Sequence, residues 1–93
     1  MAYLFEVGQV VATPEVAEYV TPAEFAEMLH WHRSGQWGSV PKEDARENTL
    51  SVKEGFRILS AYPIRGKTVW LITEARDDNG RRQSSTFLFP DQY

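Results

Sequence analysis

The residues able to do chemistry are few, and their spacing suits little of it. His30 and His32 are the only histidines; on a helix, two positions apart, their side chains point about 200° away from each other. A metal ion needs its ligands converging, so this pair predicts no metal site. Glu43, Asp44 and Glu47 gather on one stretch, and Asp77 and Asp78 on another. Acid–base catalysis by paired carboxylates needs two groups at a fixed separation in a cleft. Nothing in the spacing sets Glu74 or any other acid opposite these. Ser39, Ser51, Ser60, Ser84 and Ser85 lack the flanking glycines of a nucleophile elbow. The six glycines form neither a phosphate-cradling loop nor a dinucleotide fingerprint. No catalytic residue, cofactor or metal ligand is expected, and an enzyme is the most distant reading.

Binding is better represented. Arg76, Arg81 and Arg82 cluster around one predicted hairpin, with Arg65 and Lys67 at the opposite end of the same strand. A basic ribbon of this kind can track a phosphate backbone, which makes a nucleic-acid-binding regulator the alternative function. The charge elsewhere opposes it. Residues 1–54 hold nine acids against four bases, and residues 55–93 hold four acids against six bases. The first part therefore carries −5 and the second +2, within a chain of net charge −3. An acidic surface repels phosphate and suits a basic protein partner. The candidates for protein contact are Trp31, Trp37, Glu43, Asp44 and Glu47. Tryptophan is enriched at interface hot spots. Trp37, between Gln36 and Gly38, suits a surface anchor better than Trp70 does, although an aromatic in so tight a connection more often plugs the end of a small core; Trp70 reads as core.

The elements that must position these residues follow from patterning. An extended run from about Phe5 to Ala12 reads as a strand, with Gly8 as a bulge or twist point. Thr13-Pro14 opens a short helix to Tyr19, a helix N-cap followed by proline. Thr21-Pro22-Ala23-Glu24 repeats the device as a capping box. Phe25, Met28, Leu29 and His32 then fall on one helical stripe, which Ser34-Gly35 ends. Of the two histidines, one is expected half-buried and the other solvated. Pro41-Lys42-Glu43-Asp44 opens a third helix, its acids near the positive end of the dipole. Ala45, Thr49, Val52 and Phe56 trace its expected inner face, and Gly55 its left-handed stop.

From Phe56 the period becomes two. Arg57–Tyr62, Thr68–Glu74 and Gln83–Phe89 are predicted strands, rich in β-branched and aromatic residues. Pro63-Ile64-Arg65-Gly66 and Asp77-Asp78-Asn79-Gly80 are the reversals, Asn79-Gly80 reading as a turn with positive φ at both positions. Val69-Trp70-Leu71-Ile72 is apolar on both faces and predicts a central strand, while Pro90 suits an edge strand or its end. The expected fold is α+β: an N-terminal strand, three short helices, and a C-terminal three-stranded antiparallel meander forming one sheet with helices packed on it. The opening strand must join that sheet to cover its apolar residues.

Ninety-three residues predict a single domain over 1–93. The absence of cysteine excludes disulfides and thiolate metal sites. With no basic n-region and no apolar run of about 20 residues, a cytoplasmic location is expected and a membrane is not. If the helices cover only one sheet face, a second copy is the expected cover for the other, a homodimer.

Five stretches, in order, carry a family likeness: Gly8-Gln9-Val10-Val11-Ala12-Thr13-Pro14; Gly35-Gln36-Trp37-Gly38; Lys53-Glu54-Gly55-Phe56-Arg57-Ile58-Leu59-Ser60-Ala61-Tyr62; Trp70-Leu71-Ile72-Thr73-Glu74-Ala75; and Leu88-Phe89-Pro90-Asp91-Gln92-Tyr93. Together they resemble short bacterial proteins carried on plasmids, integrative elements and phages, often labelled "type I restriction endonuclease subunit M" or "plasmid-related protein". The likeness departs at Gln36 and Ser39, where acids are expected, so an acidic loop surface does not carry over. The methyltransferase label is not supported by the residues: there is no Pro-Pro catalytic motif and no glycine-rich cofactor loop. The resemblance implies an accessory protein of a mobile element, with no catalytic residues to transfer. Taken with the −5 charge of residues 1–54, it makes a non-catalytic protein-binding module the expected function, one specific form being modulation or inhibition of a host nucleic-acid-targeting defence such as restriction or CRISPR.

Overall fold

The computed structural model describes residues 3–93. It is an α+β structure with one four-stranded mixed sheet. In chain order the elements are β1 (Gln9–Ala12), α1 (Pro14–Tyr19), α2 (Pro22–Arg33), α3 (Lys42–Glu54), β2 (Ile58–Ile64), β3 (Lys67–Thr73), β4 (Ser84–Leu88) and a 3-10 turn at Pro90–Gln92. The sheet order is β1-β4-β3-β2. The three C-terminal strands form the expected antiparallel meander, but β1 adds to it in parallel beside β4.

That addition decides between the two expectations for the last strand. β4 is interior, and its run ends at Pro90 because the chain turns back there, not because it lies at an edge. Gln92 holds the turn: its Oε1 accepts from the Phe89 N–H at 2.9 Å and from the Thr13 hydroxyl at 2.9 Å. The opening strand is also shorter than its apolar run, beginning only at Gln9.

Both proline-led helix starts form as read. Thr13 Oγ1 accepts from the Val16 N–H, and Thr21 and Glu24 make a reciprocal capping box. α1 and α2 then lay Val16, Val20 and Met28 on one sheet face, against Tyr62, Ile64, Val69, Leu71 and Phe87. Phe25 meets Phe87 edge to face, centroids 4.8 Å apart. The β2–β3 reversal is a two-residue turn in which Arg65 itself takes φ 49°. A non-glycine residue bears that cost only where its surroundings insist. Here the Tyr19 hydroxyl reaches the Ile64 and Arg65 carbonyls at 2.6 and 2.7 Å, and the Arg65 guanidinium forks onto Glu24. The other reversal is longer than a two-residue hairpin. Asn79 does not have positive φ; instead Asp77 Oδ1 accepts from the Asn79 and Arg81 N–H groups, an Asx turn that does the work asked of Asn79-Gly80.

α3 departs furthest from expectation. Thr49 and Phe56 are exposed, Ala45 and Val52 half-buried, and the buried residues are Asn48 and Ser51. With so little apolar area to bury, this helix is held by polar clips. Asn48 makes a two-point bond to the outward backbone of β2, accepting from Leu59 N at 3.2 Å and donating to Leu59 O at 2.8 Å. At its other end Gly55 takes φ 87° and stops the helix. Arg82, only 3% exposed, donates from Nη2 to Ser51 O at 2.8 Å and from Nη1 to Phe56 O at 2.7 Å and Glu74 O at 2.9 Å. Arg76 adds a bond to Val52 O at 2.9 Å.

The same logic closes the β2 edge. Beyond Leu59, the outward groups of Ala61 pair with Trp37 O and Ser39 N at 3.0 and 2.7 Å, and Pro63 has no N–H to offer. Gly38 makes the approach feasible: at φ 78°, an added Cβ would collide with the Ala61 carbonyl. Among the described residues the β1 edge is bare by comparison. Val10 and Val11 are exposed beside an apolar groove of about 270 Å³ shared with Phe25, Ala26 and Leu29 of α2.

Replacing Arg82 by Met keeps the stem but strands three carbonyls. Arg82→Met is expected to destabilise the fold by about 3 kcal/mol, read as a lower urea midpoint. An exposed-site control, Arg81→Met, is expected to change it by less than about 0.5 kcal/mol.

Candidate functional site

Two features concentrate functional side chains: a buried polar line through the core and an exposed acidic ridge. The line starts at His32, whose ring is fully buried. Its Nδ1 lies 2.6 Å from Ser60 Oγ and its Nε2 2.8 Å from Thr73 Oγ1. Thr73 Oγ1 lies 2.6 Å from Ser85 Oγ, which donates to Val7 O at 2.7 Å. Val7 O can only accept, and that fixes the direction of every proton behind it. Ser85 gives its proton to Val7 O and accepts from Thr73. Thr73 therefore accepts from His32 Nε2–H, and Nδ1 accepts from Ser60. The imidazole is neutral and its tautomer is set.

This arrangement brings serine and histidine into contact without making a nucleophile. Ser60, His32, Thr73 and Ser85 are all fully buried. The imidazole's partners are hydroxyls, with no carboxylate to stabilise an imidazolium. Burial, with the nearby positive Arg82 adding to it, pulls the His32 pKa down to about 3. The ring is therefore a poor base at neutral pH. What the line does is tie the end of α2 to β2, β3 and β4 at once.

The aromatic residues pack around the same ring. Trp37 is buried, stacked on Phe5 at 6.1 Å and edge-on to His32 at 6.0 Å. Trp31 is half-buried against Tyr62 at 5.5 Å. Trp70 is half-buried on the opposite sheet face, its ring 5.8 Å from that of Tyr93. Trp37 thus plugs the core rather than standing as a surface anchor, because the connection that carries it pairs with the β2 edge and turns its indole inward, while Trp70 is less buried than expected. The histidine expectation shifts too, with His32 fully buried and His30 half-buried. Of the three hairpin arginines, Arg82 is buried and Arg76 bonds the end of α3; Arg81 alone stands exposed without such a tie.

The ridge lies on α3. Glu43, Glu47, Leu50 and Glu54 recur at i, i+4, i+7 and i+11, so they share one helical stripe, and all four are exposed. Asp44 is exposed on the neighbouring line, above a cleft of about 240 Å³ that also holds Glu47 and Arg57. Leu50, 51% exposed, is the apolar centre of the stripe. Among the described residues the one ion pair is Arg65–Glu24 at 2.8 Å, so these acids have no cationic partner. Arg46 and Lys53 flank the stripe on one side only. The structure keeps Glu43, Asp44 and Glu47 together and free, and separates them from the indoles.

Sequence reasoning missed the polar line, although a signal for it exists. Ser60, Thr73 and Ser85 share the inward parity of Ile58, Leu71 and Phe87 on three adjacent strands. Among the described residues, no group of three or more His, Asp or Glu side chains could hold a metal ion, and no helix is long and apolar enough to cross a membrane. No protein-family model, no curated protein and no solved structure matches the chain. The likeness to mobile-element proteins therefore rests on the quoted residues alone.

The His32 pKa sets a pH dependence. Its folded value lies below the ordinary 6.5, so folding favours the neutral ring. Stability is complete above about pH 6.5 and falls by about 1.4 kcal/mol per pH unit as the pH drops from there toward 3. Glu24, held down to about 2 chiefly by Arg65 and then by the Thr21 N–H, adds a further loss only below its ordinary 4.5. Urea midpoints at pH 7.5, 6.5 and 5.5 should fall for the parent chain and stay level for His32→Gln. A level parent would place the proton elsewhere.

Proposed function

We propose that this chain is a non-catalytic protein-binding module that docks through the outward stripe of α3. The observation that carries this reading is the stripe itself: Glu43, Glu47 and Glu54 flank an exposed Leu50, and among the described residues none of these carboxylates forms an ion pair. Carboxylates in that setting steer and orient a basic partner, while an exposed apolar side chain at their centre supplies an area to desolvate. The polar clips that fix α3 keep the stripe in one place, which lowers the ordering cost of docking.

The complementary partner is a protein with a basic face, as proteins that handle nucleic acid have. Followed through, the resemblance to mobile-element proteins makes that partner a component of a host defence such as restriction or CRISPR, occluded by an acidic helix. A nucleic-acid-binding hairpin has less support, because Arg76 and Arg82 are engaged inside the chain.

The test is capture from a bacterial lysate by the immobilised chain, beside a Glu43→Lys, Glu47→Lys, Leu50→Ala variant. The expected result is a stoichiometric basic protein retained by the parent, released by moderate salt, and absent from the variant. No stoichiometric protein, or equal retention by both, would sink the reading.

A further inference from the structure

Away from the polar line and the ridge, one surface cavity gathers rings and carboxylates around an ammonium. Its volume is about 560 Å³, and Glu15, Glu18, Tyr19, Lys67, Phe89 and Asp91 line it. It opens where α1, the start of β3 and the Pro90–Gln92 turn meet. The Tyr19 and Phe89 rings stand edge to face, centroids 5.9 Å apart. Lys67 Nζ lies 4.8 Å from the Tyr19 centroid and 5.4 Å from that of Phe89. Both distances fall within the range at which a ring face attracts a cation.

The walls are fixed before anything arrives. The Tyr19 hydroxyl is anchored on the Ile64 and Arg65 carbonyls. Gln92 ties the C-terminal turn to Phe89 N and Thr13 Oγ1, and its Nε2 donates to Glu15 Oε1 at 3.0 Å. Charge is not balanced in the lining: three carboxylates accompany one ammonium, and none of the three forms an ion pair among the described residues; the Arg65 guanidinium, 4.4 Å from the Tyr19 centroid, is outside the lining and is paired with Glu24. Lys67 itself is exposed, at the end of a flexible stem.

We propose that this cavity binds an alkylammonium head group, and that Lys67 occupies it as an internal stand-in until displaced. The Tyr19 and Phe89 rings supply the cation–π faces, and Glu15, Glu18 and Asp91 supply the neutralising charge. The site uses none of the residues of the α3 stripe, so it stands or falls independently of the docking proposed for that helix.

The experiment is a ¹H–¹⁵N NMR titration of the full chain with n-butylammonium chloride and, separately, with acetyl-Gly-Lys-Gly-amide, against sodium chloride at equal ionic strength. Saturable shifts confined to residues 15–19, 66–68 and 89–92 are expected with the ammonium probes. Lys67→Ala, which removes the competitor, should tighten binding about five-fold. The shape-preserving pair Glu18→Gln and Asp91→Asn should weaken it by a similar factor. Tighter binding of the peptide than of butylammonium identifies a protein lysine as the source of the head group, and equal binding identifies a free amine. Shifts that do not saturate, that match the sodium chloride control, or that neither variant alters would overturn the proposal.

Discussion

A single guanidinium, that of Arg82, joins three carbonyls from three separate parts of the chain: Ser51 in α3, Phe56 just past its end, and Glu74 after β3. The planar fork of arginine can satisfy all three at once, and a lysine ammonium at the same place has a shorter reach and a different shape. Burial and the nearby Arg76 push the Arg82 pKa down, while Glu6 opposes them; Glu6 also accepts from the Arg82 N–H at 3.0 Å. The cation so held sits at the carboxyl end of α3, where the helix dipole favours positive charge. This seat explains how a helix with almost no apolar face stays in place.

The polar line from His32 to Val7 is the counterpart within the core, close enough to Arg82 to feel its charge. A small core is usually joined by shape alone, and aliphatic side chains can slide past one another at modest cost. Hydroxyls and an imidazole cannot, because each displaced partner leaves a buried polar group unmet. With His32 touching Ser60 and Thr73, and Thr73 touching Ser85, the register of three strands and the rotation of α2 are fixed together. The residues that look most reactive by type are thereby the most structural in place.

How far the sequence reveals this depends on the range of the interaction. Local devices are legible: the Thr13 and Thr21 caps, the Phe25–Met28–Leu29–His32 stripe and the Gly55 stop all form as read. So is the C-terminal meander, because adjacent strands with short reversals pair with each other. The parallel seat of β1 beside β4 is not, since the two strands lie far apart in sequence and nothing local sets their direction. Which of its two expected places Trp37 takes is hidden for the same reason: the connection around it is fixed by Ala61, a distant residue. The hairpin arginines mislead because charge in a sequence reads as surface, whereas Arg82 is drawn inward by carbonyls that the sequence does not position. The free acids Glu43, Asp44 and Glu47 are legible as exposed because helix-start chemistry already accounts for them.

The two margins of the sheet are treated differently, and this gives the molecule a direction. On the β2 side, Asn48, the Trp37–Ser39 backbone and Pro63 leave no ladder for another strand to join. On the β1 side no other backbone among the described residues pairs with the outer edge of its four residues, with Gly8 before it and Pro14 soon after. Growth of the sheet, by whatever means, can therefore proceed from one margin alone and over a short span. A ribbon built by repeated lateral addition is closed to this fold, because each newcomer would need two receptive sides and the chain has one.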